Sequence, residues 1–316
     1  MSGQDSEATS IVVFGSLARD EFTAGSDIDW TLLIDGYADA QHLRVARQIR
    51  EIVKKHSEKE PGPEATFGSM AWSHQLVHLI GGEDDTNQNT TRRILMLLES
   101  TVIGRREAYD RVVKNILSRY ILEDARFISK DARQRVPRFL LNDFARYWRT
   151  MAVDFAYKRR TRAQEGAAMR NIKLRMSRKL IYVSGLLACF GCHLELDDTE
   201  REALFRGPDA AKRAIEFFKD TFQRTPLDIL CSVLLRHTHL NDTAHRLLSA
   251  YHGFISTLAD DEKRGHLEAL LPERQDDDEV YQELRGLSHQ FRDGLLELFF
   301  DQQSGLSELT KLYGVF

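Results

Sequence analysis

The sequence predicts an α/β (α+β) chain, a small sheet domain followed by a larger all-α domain. Three observations predict it. Ile11 to Phe14 is a short apolar run that stops at Gly15-Ser16, as a buried strand ending in a tight turn does. Asp27 to Ile34 alternates polar and apolar residues, then becomes wholly apolar, so it enters a core with its acidic end at the rim. Beyond Thr90 strand signals almost vanish, and apolar residues recur at helical spacing.

In order, Leu17 to Glu21 reads as a helical turn and Asp35-Gly36 closes the second strand. From Ala38 to His56, Leu43, Ala46, Ile49 and Val53 recur at spacings of three and four, which predicts a helix. After Pro61-Gly62-Pro63, Glu64 to Phe67 is expected as a third short strand, and His74 to Leu79 as a further apolar segment ending at Gly81-Gly82. Helices are predicted over Thr91–Ile103, Ala108–Phe127, Pro137–Arg160, Asn171–Phe190, Asp198–Phe205, Asp209–Thr221, Leu227–Leu235, Asp242–Ala259 and Glu283–Phe300. Thr90, Asp209 and Asp242 are the expected caps, with Pro137 early in its helix. The boundary falls near Glu83 to Asn89, giving domains of residues 1–89 and 90–316.

Composition excludes little. The 42% apolar content is that of a globular chain, and a net charge of −4 points to no particular partner. No basic-then-apolar leader and no membrane-length apolar run is expected. Cys189 and Cys192 form a C-x-x-C inside an apolar helical stretch, where buried thiols are the expectation over a metal site. So few cysteines fit a reducing cytoplasm.

The chemistry concentrates in Val13-Phe14-Gly15-Ser16-Leu17-Ala18-Arg19 and Gly25-Ser26-Asp27-Ile28-Asp29. Glycine lets backbone approach a bulky phosphate, and free N–H groups at a helical turn favour an anion. Asp27 and Asp29, two apart on a strand, would project from one face. Adjacent carboxylates repel unless a cation lies between them, and magnesium takes such oxygen ligands while coupling them to substrate phosphates.

These residues resemble the signature of the DNA polymerase β-like nucleotidyltransferase superfamily, an apolar residue, Gly and Gly or Ser, then an Asp-x-Asp pair on the following strand. Here the positions are Phe14, Gly15, Ser16, Asp27 and Asp29, and the likeness runs from about Ser10 to Ile80. The resemblance implies an NTP donor, Mg2+ with Mn2+ as a substitute, and transfer of a nucleoside monophosphate to an acceptor. Gly15, Ser16, Arg19 and Ser26 would bind the nucleotide, and Asp27 and Asp29 the metal. The superfamily's third carboxylate would be Glu64, with Asp84 and Asp85 as rivals. Thr90 to Gly104, through Leu97-Leu98-Glu99-Ser100, resembles the helix that follows the catalytic sheet in the uridylyltransferases that modify a nitrogen-sensing regulator protein and in uncharacterised relatives. It favours a protein or small-molecule acceptor, without a DNA template.

The stretch from Arg133 to Lys179 is strongly basic, and Arg146, Arg149, Lys173 and Arg178 are its candidates for triphosphate contact. The same stretch, with Tyr147, Trp148 and Tyr157, also reads as an RNA surface. Two rival functions therefore stand beside the transferase, a module that senses nucleotide without turnover and a toxin-like enzyme that modifies transfer or other RNA.

Overall fold

The computed structural model describes residues 7–23, 25–57, 66–129, 135–161 and 166–314. A small sheet at the N-terminal end precedes a large helical region, the predicted class. Four strands form one sheet: β1 (Thr9–Phe14), β2 (Asp29–Ile34), β3 (Ser69–Trp72) and β4 (Ser100–Ile103), in the order β3-β2-β1-β4. β1 runs antiparallel to β2 and to β4, and β2 runs parallel to β3.

Helices pack on both faces of β1 and β2, which is why these two strands read as near-continuous apolar runs. On one face α1 (Ala40–His56) sets Ala46 and Ile49 against Val13, Trp30, Leu32 and Ile34. Asp39 starts α1 by accepting from the Gln41 N–H, while its own N–H donates to the His42 ring. After β3 come α2 (Ser73–Val77) and α3 (Asn87–Leu98), then α4 (Glu107–Glu123) and α5 (Ala125–Ile128). α4 packs against β1 and β2, where Val12 and Leu33 are fully buried.

Three sequence expectations are corrected here. The third strand lies at Ser69–Trp72, beyond Thr66 and Phe67; Glu64 and Ala65 lie outside the described residues. The helix expected over Thr91–Ile103 starts earlier, capped by Thr86 and not Thr90, and stops at Leu98, so that Ser100–Ile103 becomes β4. β2 begins at Asp29 and not Asp27, because Phe14 is the last residue of β1 that can pair and the chain turns away at Gly15.

The remaining helices are α6 (Arg138–Thr161), α7 (Ala167–Arg175), α8 (Ser177–Cys189), α9 (Gly191–Leu194), α10 (Asp198–Phe205), α11 (Ala210–Thr221), α12 (Pro226–Arg236), α13 (Asn241–Ala259), α14 (Asp261–Ala269), α15 (Glu279–Phe299) and α16 (Leu306–Leu309). The single helix expected over Asn171–Phe190 breaks at the buried Met176. α14 is additional, a charged helix capped by Asp260 that buries only Arg264 and Leu267. α15 starts before Glu283 because Asp278 accepts from the Tyr281 N–H. Asp242 is not a cap; it lies in the first turn of α13.

The chain divides into two compact units. Unit 1 comprises Met1–Phe22, Ser26–Asp143 and Leu196–Thr225; unit 2 comprises Thr23–Gly25, Phe144–Glu195 and Pro226–Phe316. In unit 1, α10 and α11 pack on the α4–α5 region, with the Phe127 ring 5.2 Å from Phe205 and 5.9 Å from Phe218. In unit 2, α13 and α15 meet through Tyr251 and Phe291, with ring centroids 5.7 Å apart, and Glu297 accepts from Thr243 and Arg246.

Unit 1 contains a fully buried arginine. Arg93 on α3 pairs with both oxygens of Asp85 at 3.1 and 2.9 Å, with Asp143 at 2.7 Å and with the Tyr120 hydroxyl at 2.6 Å. Burial works against its charge, but Tyr120, Asp85 and Asp143 raise its hold on the proton above that of an ordinary arginine. Asp85 is thereby committed to a structural pair, which removes it as a rival for the third catalytic acid, and Asp84 is exposed.

Removing one side of this buried pair strands a charge in the interior. Arg93→Leu should therefore destabilise the protein by about 3–5 kcal/mol in urea unfolding, and a loss near zero would show the network to be dispensable. Burial, with Cys192 adding to it, pushes the Cys189 thiol well above its ordinary range, and Cys192 is equally hidden. A thiol reagent should label only Cys231 in the native protein; early labelling of Cys189 or Cys192 would contradict the packing of α8 and α9.

Candidate active site at the Gly15 turn

The end of β1 builds the site. Phe14 pairs with Asp29 on one side and with Ser100 on the other, so β2 and β4 both bring their first residues to the place where β1 stops. Gly15 then takes φ +72, a left-handed conformation that glycine accepts without strain. The chain winds into a turn, with the Ala18 and Arg19 N–H groups donating to the Gly15 carbonyl and Glu21 N–H to the Ser16 carbonyl. This is the helical turn expected over Leu17–Glu21.

Asp29 lies against this turn. A methyl group placed on Gly15 would stand 3.6 Å from Asp29 Oδ2, ordinary van der Waals contact. The first carboxylate of β2 and the glycine at the end of β1 are thus neighbours, although thirteen other residues separate them in sequence. Asp27 and Ser26 are half-buried in the lead-in to β2. Asp27 and Asp29 offer oxygen donors, the set that hard divalent cations take. Among the described residues no group of three or more His, Cys, Asp or Glu side chains is gathered for a metal.

Arg19 sits where its side chain is largely hidden, bonded through Nε to Glu21 at 2.8 Å and through its guanidinium to Glu99. Glu99 is the residue between α3 and β4, buried, with its backbone N–H on Leu95. Glu99 lies in the stretch Leu97-Leu98-Glu99-Ser100, whose local pattern does not mark it as a neighbour of the Gly-Ser turn. No local signal could have found it, because the contact depends on β4 pairing beside β1. Arg92 is a second such residue. It donates to the Thr66 carbonyl at 2.7 Å and to Ser69 Oγ at 2.8 Å, which fixes the start of β3.

Glu64 lies outside the described residues. Gly15, Ser16, Arg19, Ser26, Asp27 and Asp29 belong to unit 1, whereas Arg146, Arg149, Lys173 and Arg178 belong to unit 2. Thr23, between the two halves of the motif in sequence, clusters with unit 2, where Arg264 donates to its hydroxyl at 3.0 Å.

At Gly15 the backbone angle, and not lack of room, is the constraint. Gly15→Ala should cost about 1–2 kcal/mol in unfolding free energy, the penalty for an L-residue in the left-handed region. A variant as stable as the parent would mean that the turn can relax.

Residues 3–61 match the family model described as a nucleotidyltransferase domain. No curated protein and no solved structure gives a significant match. Among the described residues no helix is long and apolar enough to cross a membrane. The family typically uses divalent metals, and the domain implies an NTP substrate. The matched segment includes the Gly15 turn and its aspartates; the match is consistent with the polymerase β-like superfamily and supports a transferase enzyme.

Proposed function

We propose that this protein transfers a nucleoside monophosphate from an NTP to an acceptor hydroxyl, releasing pyrophosphate, with Mg2+ or Mn2+ as the cofactor. Catalysis is assigned to residues 1–89 and choice of acceptor to residues 90–316. The observation that carries the reading is Asp29 beside Gly15, with a carboxylate oxygen 3.6 Å from where a Cβ on that glycine would stand. The acceptor is a protein, a small molecule or RNA, no DNA template is involved, and so few cysteines, three in the chain, fit work in the cytoplasm.

In this scheme Gly15 and Ser16 donate to the triphosphate, Ser26 supports it, and Arg19 orients the turn from its seat on Glu99 and Glu21. Asp27 and Asp29 would hold the divalent cation, whose chemistry there would be to offset charge developing at the α-phosphorus. The acceptor oxygen forms its bond to that phosphorus as the bond to pyrophosphate breaks, and the hydroxyl proton leaves to a base. Glu64 is the sequence candidate for that base.

The test incubates the purified protein with Mg2+ and each α-labelled NTP, with and without host lysate, beside the Asp27→Asn/Asp29→Asn variant. A labelled product should form and fall by at least about a thousandfold in the variant, since both metal ligands are lost. Equal labelling by both proteins would refute the assignment of the aspartates. Absence of label with retained NTP binding would refute turnover.

A further inference from the structure

Between Phe144 and Lys179 the chain carries eleven Lys and Arg residues against two acids, Asp154 and Glu165, in a protein whose net charge is −4. Asp154 is occupied by Lys158 at 2.7 Å. The excess positive charge is therefore local to unit 2, and composition averages it away.

The packing of α6 on α8 concentrates it. Gly185 on α8 has no side chain because the Phe144 ring of α6 fills the space, 2.6 Å from where a Cβ would be. One turn away, Trp148 stacks on Tyr182 with ring centroids 5.3 Å apart and planes 16° apart. Phe144 opposite Gly185 and Trp148 opposite Tyr182 make the two helices antiparallel. The C-terminal half of α6 and the N-terminal turn of α8 thus lie at the same end of the pair. Arg160 and Tyr157 belong to the first, and Arg178 and Lys179 to the second.

Along α6, Arg149, Val153, Tyr157 and Arg160 are all exposed and recur at spacings of four, four and three, which makes one helical stripe. Tyr157 is 56% exposed and Val153 69%. Arg149 also lies close enough to Tyr182 to oppose the effect of burial on its hydroxyl. On the flank, Arg175 and Arg292 crowd Lys179, and burial together with that crowding lowers its hold on the proton.

We infer that the exposed α6 stripe, with the adjoining basic turn of α8, binds single-stranded RNA, which makes RNA the acceptor class of the proposed transfer. Only the word acceptor rests on the transferase reading; the binding itself does not. Cations spaced along a helix match a phosphate backbone, and an exposed tyrosine between arginines offers an unpaired base a stacking surface. An acidic chain such as polyglutamate would satisfy the arginines alone, whereas single-stranded RNA supplies a phosphate to each arginine and a base to the tyrosine.

The experiment is fluorescence anisotropy with a labelled mixed-sequence RNA of twenty nucleotides, without NTP and with the metal chelated, so that binding is read apart from transfer. Polyglutamate and the same RNA in a duplex are the competitors. Affinity should fall steeply with salt and drop at least about tenfold in Arg149→Glu/Arg160→Glu. Tyr157→Ala should lose about tenfold with an unchanged salt slope, since stacking is not ionic. All three side chains are exposed, and Arg149→Gln/Arg160→Gln, which should lose affinity by a smaller factor, guards against a folding defect in the charge reversal. Absence of binding at low salt overturns the proposal. So does equal competition by polyglutamate together with a silent Tyr157→Ala, which would mark a surface for acidic proteins. RNA binding without any nucleotide transfer would leave this inference standing and sink the transferase reading; labelling of another acceptor without RNA binding would do the reverse.

Discussion

Phe14 pairs with Asp29 on one side and with Ser100 on the other, and the chemistry of the site depends on that register. Strand pairing is discrete, and a slip by one residue would turn every side chain of β2 to the opposite face. The register is held because Trp30, Leu32 and Ile34 are needed against α1 while Val12 and Leu33 are buried on the other side. Apolar burial on two faces thus fixes where a carboxylate and a glycine turn come together. The aspartate need not contribute to stability for the site to form; the glycine does so by taking the left-handed turn without strain.

The same register ties the turn to β4. Arg19 reaches Glu99 only because Ser100 starts β4 next to the end of β1. α3, which delivers Glu99, is anchored further back by Arg93 in its buried network and by Arg92 on Thr66 and Ser69. One helix therefore positions the start of β3 and the start of β4, the strands at the two edges of the sheet. Buried ion pairs cost desolvation, and those of α3 tie it by directional contacts to Asp85 and Asp143, as Arg92 ties it to Thr66 and Ser69.

Unit 2 follows a different logic. Its apolar contacts, such as Phe144 in the space at Gly185, close the helices together and leave charged residues on the outside. A helix face of that kind is paid for by the core behind it and is free to carry a ligand-directed pattern. The stripe of Arg149, Val153, Tyr157 and Arg160 has that character, with an exposed Val and Tyr set among arginines.

The class of fold, the apolar strands β1 and β2, helix α1 and the Gly-Ser and Asp-x-Asp residues were legible in the sequence. Each rests on local pattern: apolar periodicity, a glycine where the chain must turn, two acids at the rim of a strand. The buried state of Cys189 and Cys192 was legible for the same reason. β4 was not, because Ser100-Thr101-Val102-Ile103 follows a helix without punctuation and becomes a strand only by pairing with β1, some ninety residues away. The commitment of Asp85 to Arg93, the seat of Arg19 on Glu99 and the return of Leu196–Thr225 to the unit that holds the sheet are likewise long-range. Local sequence determines which backbone conformations and faces are available. Which carboxylate meets which partner is decided when distant segments compete for the same buried space, and that competition belongs to the tertiary structure.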